Sequence, residues 1–279
     1  MKFWPKIQLK PSRLMFVVLS LFIMFSWVGC GSNLFEGMAD ENSKEARQEQ
    51  VLQLFDDGNY SEALTLLQTI VTEYPGDPLF VQYLSNAFAG LAGLDTFNLL
   101  EVIDAVDDAG EEGSIDMVGL VLGDALGRLT LAQVNAKLDF IDSAVSEMDS
   151  ITVLNDDQTI QMGLLSVTHM SLTLAKLIMA ERAVDTITLT DAGIGALYAP
   201  GENVDLDGID PADVDLDAAL VSISADIVNM SGAVVALKDN GSDQNDISDQ
   251  FQEFQDAIDQ NGNGAVTQSE LEQYIESLN

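Results

Sequence analysis

An all-α chain is predicted, a helical array or bundle, on three observations. Beyond the first 30 residues proline occurs only at Pro75, Pro78, Pro200 and Pro211. Apolar residues recur at helical spacing through most of the chain, and 47% of all residues are apolar, which is enough to fill a real core. No segment shows sustained alternation with β-branched enrichment, so strands are not expected. Predicted helices span 44–57, 61–74, 78–93, 96–108, 114–128, 131–148, 157–183, 212–238, 246–258 and 268–277. Breaks fall at Gly58-Asn59, Pro75-Gly76-Asp77, Ala109-Gly110, Asn155-Asp156 and Pro200-Gly201. Ser61, Asp77 (ahead of Pro78), Asp95 and Ser114 are the capping residues expected at four of the starts.

The ends of the chain differ sharply in charge. Of 11 Lys and Arg, four (Lys2, Lys6, Lys10, Arg13) lie in the first 29 residues, which contain no acid; the formal net charge of the whole is −35. Leu14 to Val28 is an uncharged apolar run of signal-peptide length, shorter than the ~20 residues of a spanning helix. It ends in Trp27-Val28-Gly29-Cys30, which holds the chain's single Cys. This arrangement resembles the lipobox of bacterial lipoproteins, with Trp27 standing where Leu is usual. The resemblance implies acylation at Cys30, residues 1–29 as signal peptide, a tether over 30–43, and, with Gly31 after the Cys, an outer-membrane address in the cell envelope. An uncleaved anchor or a plain secretory signal is the alternative. A body this acidic repels phosphate backbones, which excludes nucleic-acid partners.

Residues 44–93 come next. Gly58-Asn59-Tyr60-Ser61-Glu62-Ala63, followed by Leu67, Ile70 and Pro75, resembles the turn and second helix of a tetratricopeptide repeat, and Leu84, Ser85 and Phe88 fit half of a further unit. Gly58 permits the turn, Tyr60 packs into the helix pair, and Ala63 lets two backbones approach. Val51 departs from the small residue usual at its position. One and a half units cannot stand alone, so the pair must pack on the helices behind it. The resemblance implies a docking surface for a protein partner; a helical hairpin serving only as scaffold is the equal alternative.

The body runs over 94–238. Gly119, Gly123 and Gly127 give helix 114–128 a smooth face, suited to close packing on a soluble neighbour because Asp116, Asp124 and Arg128 disfavour a membrane. Residues 158–175 hold no charged side chain but many polar ones, which fits a central, buried helix. His169, the only His, is read there as a hydrogen-bonded core residue, with a ligand or pH-sensitive role as the alternative; no partner for it is evident.

The segment 246–279 carries definite chemistry. Asp259-Gln260-Asn261-Gly262-Asn263-Gly264-Ala265-Val266-Thr267-Gln268-Ser269-Glu270 resembles the EF-hand calcium loop at every position. Calcium takes six to eight oxygens. Asp259, Asn261 and Asn263 offer side-chain oxygens at the first, third and fifth positions, and Gly264 allows the sharp turn at the sixth. Ala265 contributes its carbonyl, Thr267 acts directly or through a water, and Glu270 closes the shell. Ile247, Phe251, Phe254 and Ile258 line one face of the entering helix; Leu271, Tyr274, Ile275 and Leu278 line the exiting one. With only Asp259 and Glu270 charged, affinity in the millimolar to high-micromolar range is expected. Val266 is the residue that pairs with a sister loop, and no clear second loop exists. Asn203-Val204-Asp205-Leu206-Asp207-Gly208 begins one, but Asp210, Pro211 and Val214 break the pattern, leaving a solvated acidic loop or a non-standard site closed by Asp210, Asp213 or Asp215. A lone hand would pair with another copy or pack on the helical body; the oligomeric state is left open.

No catalytic set is legible around a lone His and a lone Cys, and no phosphate-cradling loop is present, so the chain is not expected to be an enzyme. The expectation is a calcium-binding, lipid-anchored helical protein of the cell envelope with a protein-interaction or scaffold role. An accessory lipoprotein of a periplasmic solute transporter, similar in architecture to the T-component of TRAP systems, is the second reading. Adaptation to high salt, with calcium purely structural, is the third.

Overall fold

The computed structural model describes residues 43–94, 128–188, 198, 202–239 and 246–278. Two compact units divide the chain, one ending at Glu49 and one running from Gln50. Of the first, the described residues form a capped helical start in which Ser43 Oγ accepts the Ala46 N–H at 3.2 Å.

The second unit is mostly helical. Helix α1 (Lys44–Asp56) enters it and is followed by α2 (Tyr60–Glu73) and α3 (Pro78–Leu91). Gly58 turns the chain between α1 and α2 with φ +69°, a conformation that side-chain-bearing residues rarely adopt. Asn59, rather than the expected Ser61, stands at the start of α2; its carbonyl accepts the Glu62 and Ala63 N–H groups, so Ser61 lies one residue inside the helix. Asp77 caps α3 as expected, accepting the Leu79 N–H at 3.1 Å ahead of Pro78. Val51, Ala63, Leu67, Ile70, Phe80, Leu84 and Ala87 form the core of this hairpin. Tyr60 lays its ring against α3 at Gly90, where an added Cβ would stand 2.1 Å from the ring; the glycine is therefore a packing requirement.

The expected helices 96–108 and 114–128, with Asp95, Ser114 and the Gly119-Gly123-Gly127 face, lie outside the described residues except at Arg128. There the structure corrects the expectation. Arg128–Thr130 (β1) is extended and pairs antiparallel with Thr186–Thr188 (β2), Leu129 opposite Ile187. Each strand is three residues long, too short to register as an alternating pattern.

Thr130 then starts α4 (Leu131–Asp149) with a capping box completed by Gln133, and Asn155 with Gln158 does the same for α5 (Asp156–Glu181). Helix α5 is the centre of the unit. It is one of two described helices long and apolar enough to cross a membrane, but 94% of its apolar window is buried inside the protein, as its uncharged yet polar sequence predicts. The other such helix, α6 (Leu216–Asp239), packs along it. Its start is four residues later than expected. Asp210 and Pro211 form a separate turn in which Asp210 Oδ1 accepts the Ala212 N–H, and Asp215 Oδ1 then takes the Ala218 N–H in the first turn of the helix. At one crossing Gly163 faces Ala233 so closely that a Cβ on Gly163 would lie 2.3 Å from the Ala233 Cβ. Helix α3 is fixed to this body by polar contacts: Ser85 Oγ donates to the Ala144 carbonyl of α4 at 2.9 Å, and Gln82 donates to Gln161 of α5 at 2.9 Å. Helices α7 (Asp246–Ile258) and α8 (Gln268–Ser277) complete the chain.

Candidate metal centre

Helices α7 and α8 flank the segment 259–270, and their inner faces explain why it is held in one shape. Phe251, Phe254 and Ile258 from α7 are buried with Leu271, Tyr274 and Ile275 from α8. The Phe254 and Tyr274 rings meet edge-on with centroids 5.8 Å apart. Between the helices the chain reverses through Gly262 (φ +66°) and Gly264 (φ +76°), the second of these at the sixth position as expected.

The side-chain oxygens turn inward onto the loop's own N–H groups. Asp259 is 3% exposed; its Oδ1 accepts the Asn263 N–H at 3.3 Å and its Oδ2 the Gly264 N–H at 2.7 Å. Asn261 Oδ1 also accepts from the Asn263 N–H, and Asn263 Oδ1 from the Ala265 N–H. Glu270 reaches back across the loop. Its Oε1 accepts from the Asn261 N–H and Nδ2, and its Oε2 from the Thr267 N–H and hydroxyl at 3.0 and 2.7 Å. Thr267 returns the bond as the N-cap of α8, so Glu270 both caps this helix and closes the loop. Burial alone would push the Glu270 carboxyl up; the hydrogen bonds from Thr267 and Asn261 outweigh it and hold the group below its ordinary value.

The donor set therefore fits a hard cation: two carboxylates, two amide oxygens and a hydroxyl drawn together by one short loop. Asp259, Asn261, Asn263, Thr267 and Glu270 are brought together, and Ala265 sits among them on the exposed side. Among the described residues no three His, Cys, Asp or Glu side chains group as metal ligands, in keeping with a loop whose oxygens are mostly uncharged. Cys30 lies outside the described residues.

Among the described residues no second loop meets Val266. Instead its N–H donates to Ser224 Oγ of α6 at 2.9 Å, its side chain is buried, and Gln255 of α7 donates to the Ile227 carbonyl and to Ser231 of the same helix. The unit of α7, loop and α8 is docked on the helical body. The 203–215 segment has another use. Val204, Leu206 and Ile209 are buried, and the Val204 and Leu206 N–H groups donate to Glu276 and Glu272 of α8, both at 3.1 Å. Asp205 and Asp207 are exposed, and a 3-10 turn, Leu206–Gly208, occupies the middle of the segment.

No family model, no curated protein and no solved structure matches this chain.

A second polar cluster lies beneath α6. His169 Nδ1 meets Asp226 Oδ2 at 2.7 Å and its Nε2 meets Asp142 Oδ1 at 3.0 Å. Asn229 of α6 donates to Ser166, which in turn bonds to Asp226. Burial opposes charge on the imidazole, but the two carboxylates prevail and raise its pKa to about 10. Burial pushes the Asp226 carboxyl up, and His169 and Ser166 pull against it. His169 is thus a hydrogen-bonded core residue, as expected, with partners 27 and 57 residues away that no local pattern marks. Both ring nitrogens are engaged by carboxylates, so neither is free to take a proton from a hydroxyl. A lone acid in the otherwise uncharged run Ala218 to Leu237 was the one sequence signal for Asp226.

Proposed function

We propose that residues 259–270 bind calcium as an EF-hand loop in a lipid-anchored helical protein of the cell envelope, and that the protein acts as a scaffold or docking module. The observation that carries the calcium reading is the placement of Asp259 and Glu270. One carboxylate holds the N–H groups of the turn from its start while the other closes on Asn261 and Thr267 from its end. When bound, calcium supplies positive charge and coordination that would join α7 to α8. Asp259, Asn261, Asn263, the Ala265 carbonyl, Thr267 and Glu270 would hold it. Docking of Val266 on Ser224 supplies the support that a sister loop gives elsewhere.

The scaffold role rests on the hairpin α1–α3. Its third helix is tied to α4 and α5 through Ser85 and Gln82, which leaves α2 and the second half of α1 as the surface that a protein partner would meet.

The test is thermal melting of the protein over a calcium series, with magnesium as comparison. For a dissociation constant of ~10⁻⁴–10⁻³ M, about 10 mM calcium stabilises the fold by roughly 1–3 kcal/mol. Glu270→Gln abolishes the shift, and Asn263→Asp, which adds ligand charge, strengthens it. A melting temperature indifferent to calcium in the parent chain and in Asn263→Asp refutes the reading.

A further inference from the structure

Helix α6 turns an apolar seam to the outside, its margins touching α5 and the 259–270 loop, where Thr159 Cγ2 lies 3.4 Å from a Cβ built on Gly232 and Val228 Cγ2 lies 3.9 Å from one built on Gly264. Three of the six large apolar side chains exposed among the described residues are Val221, Val228 and Val235, at 71%, 60% and 58%, and they recur every seventh residue. On the same face stand Ala218 ahead of them, Ala225 and Gly232 between them, the alanines exposed and the glycine half-buried. Together these positions advance by alternate steps of three and four residues, which is the seam of a coiled coil and narrower than the face a globular core requires. Nothing charged interrupts it. From Ala218 to Leu237 the only ionisable residue is Asp226, and it faces inward onto His169. In a chain of net charge −35 this is a conspicuously neutral strip.

We propose that this seam is a self-association face, on which α6 of a second copy packs antiparallel to the first. The sequence of the seam is complementary to its own reverse. With a two-fold axis between Asp226 and Ile227, Ala218 meets the second copy's Val235, Val221 meets Gly232, and Ala225 meets Val228. Every layer then sets one valine against one small residue, which fills space evenly and lets the helices approach to about 8 Å. Parallel pairing would put valine on valine and alanine on alanine in alternate layers.

Charge selects the same orientation. The flanking positions are Ser222, Ser224, Asn229, Ser231 and Ala236, of which Ser224, Asn229 and Ser231 already bond within the chain; Asp215 and Asp217 stand at one end, and Lys238, followed by Asp239, at the other. Reversal brings Asp217 beside Lys238 of the second copy, offset by two residues or about 3 Å along the axis. A parallel pair sets like charges together. Gly232 is also accounted for: inside its own copy the nearest atom to an added Cβ is Thr159 Cγ2 at 3.4 Å, so the home fold does not exclude alanine there, whereas a valine pressed on it from outside does.

Cysteine cross-linking of the full chain, in a Cys30→Ser background, tests the seam and its direction. A mixture of Ala218→Cys and Val235→Cys chains forms a cross-linked dimer, while Ala218→Cys alone does not, since the two Ala218 positions lie about 25 Å apart in the reversed pair. Adding Val221→Lys to both chains abolishes the cross-link while leaving the melting temperature in place, because that side chain is 71% exposed in the single copy. Asp217→Lys weakens the cross-link and Asp217→Lys with Lys238→Asp restores it. Cross-linking by Ala218→Cys alone at the level of the mixture, or none in any combination, overturns the proposal. So does quenching of a fluorophore on Val228→Cys by spin-labelled lipid without cross-linking, which would place a lipid surface on the seam instead.

Discussion

Raising the pH should unlock the centre of the molecule, because α4, α5 and α6 meet at one protonated imidazole. His169 binds its proton between Asp226, which is buried, and Asp142, whose side chain is 62% exposed. Its folded pKa is about 10, against an ordinary value of about 6.5 in the unfolded chain. The folded state therefore holds one more proton than the unfolded state between those two values. The stabilisation is complete below about pH 6.5 and is lost as pH rises through about 10, at up to about 1.4 kcal/mol per pH unit. Between about pH 7.5 and pH 9.5 this amounts to roughly 2–3 kcal/mol, or about 5–10 °C in melting temperature for a domain of this size. Thermal melting followed by circular dichroism across that interval reads the slope, and His169→Gln, which keeps a donor, is the comparison that removes it. Because the chain has one His, its imidazole resonance titrates alone by NMR and reports the pKa directly. A melting temperature that is flat across the interval, or a slope that survives in His169→Gln, would refute the reasoning. Asp226→Asn should lower the imidazole pKa further than Asp142→Asn, since water screens the outer carboxylate.

Two further expectations follow from packing. Ser224→Ala leaves the Val266 N–H without its acceptor and should cost about 1–3 kcal/mol in a denaturant titration. It should also weaken calcium binding, whereas Ser222→Ala should leave binding unchanged. Gly163→Ala places a methyl where the Ala233 Cβ already stands and should destabilise the fold by about 1–3 kcal/mol, with Ala233→Gly in the same chain recovering part of the loss.

Features set by neighbours in sequence were legible before the structure was known. The turn at Gly264 is one, where the backbone takes the positive φ its place in the loop predicts, and the amphipathic flanks put Phe254 and Tyr274 on the buried faces. Helix α5 is another, since eighteen residues without a charge can be sheltered only by other protein once so many are polar. What distant residues decide was not legible. Ser224 looks like any small polar residue on a helix until Val266 arrives from 42 residues further on. The β1–β2 pair depends on Leu129 meeting Ile187 across a long intervening stretch, and neither strand carries a pattern of its own. The late start of α6 was misjudged for a local reason: Pro211 is a favourable first helical residue, but the Asp210 side chain stabilises a free-standing turn there instead.

Helix α6 presents Ser224 to the loop and Asp226 to the imidazole, only two residues apart. Each residue of a helix turns its successor by about 100°. Losing or gaining a single codon upstream of this pair in the helix, with Leu216 held in place, would swing both groups off their targets together. Length along this stretch is thus a tighter constraint than composition: many side chains can be exchanged here, but the count of residues cannot drift.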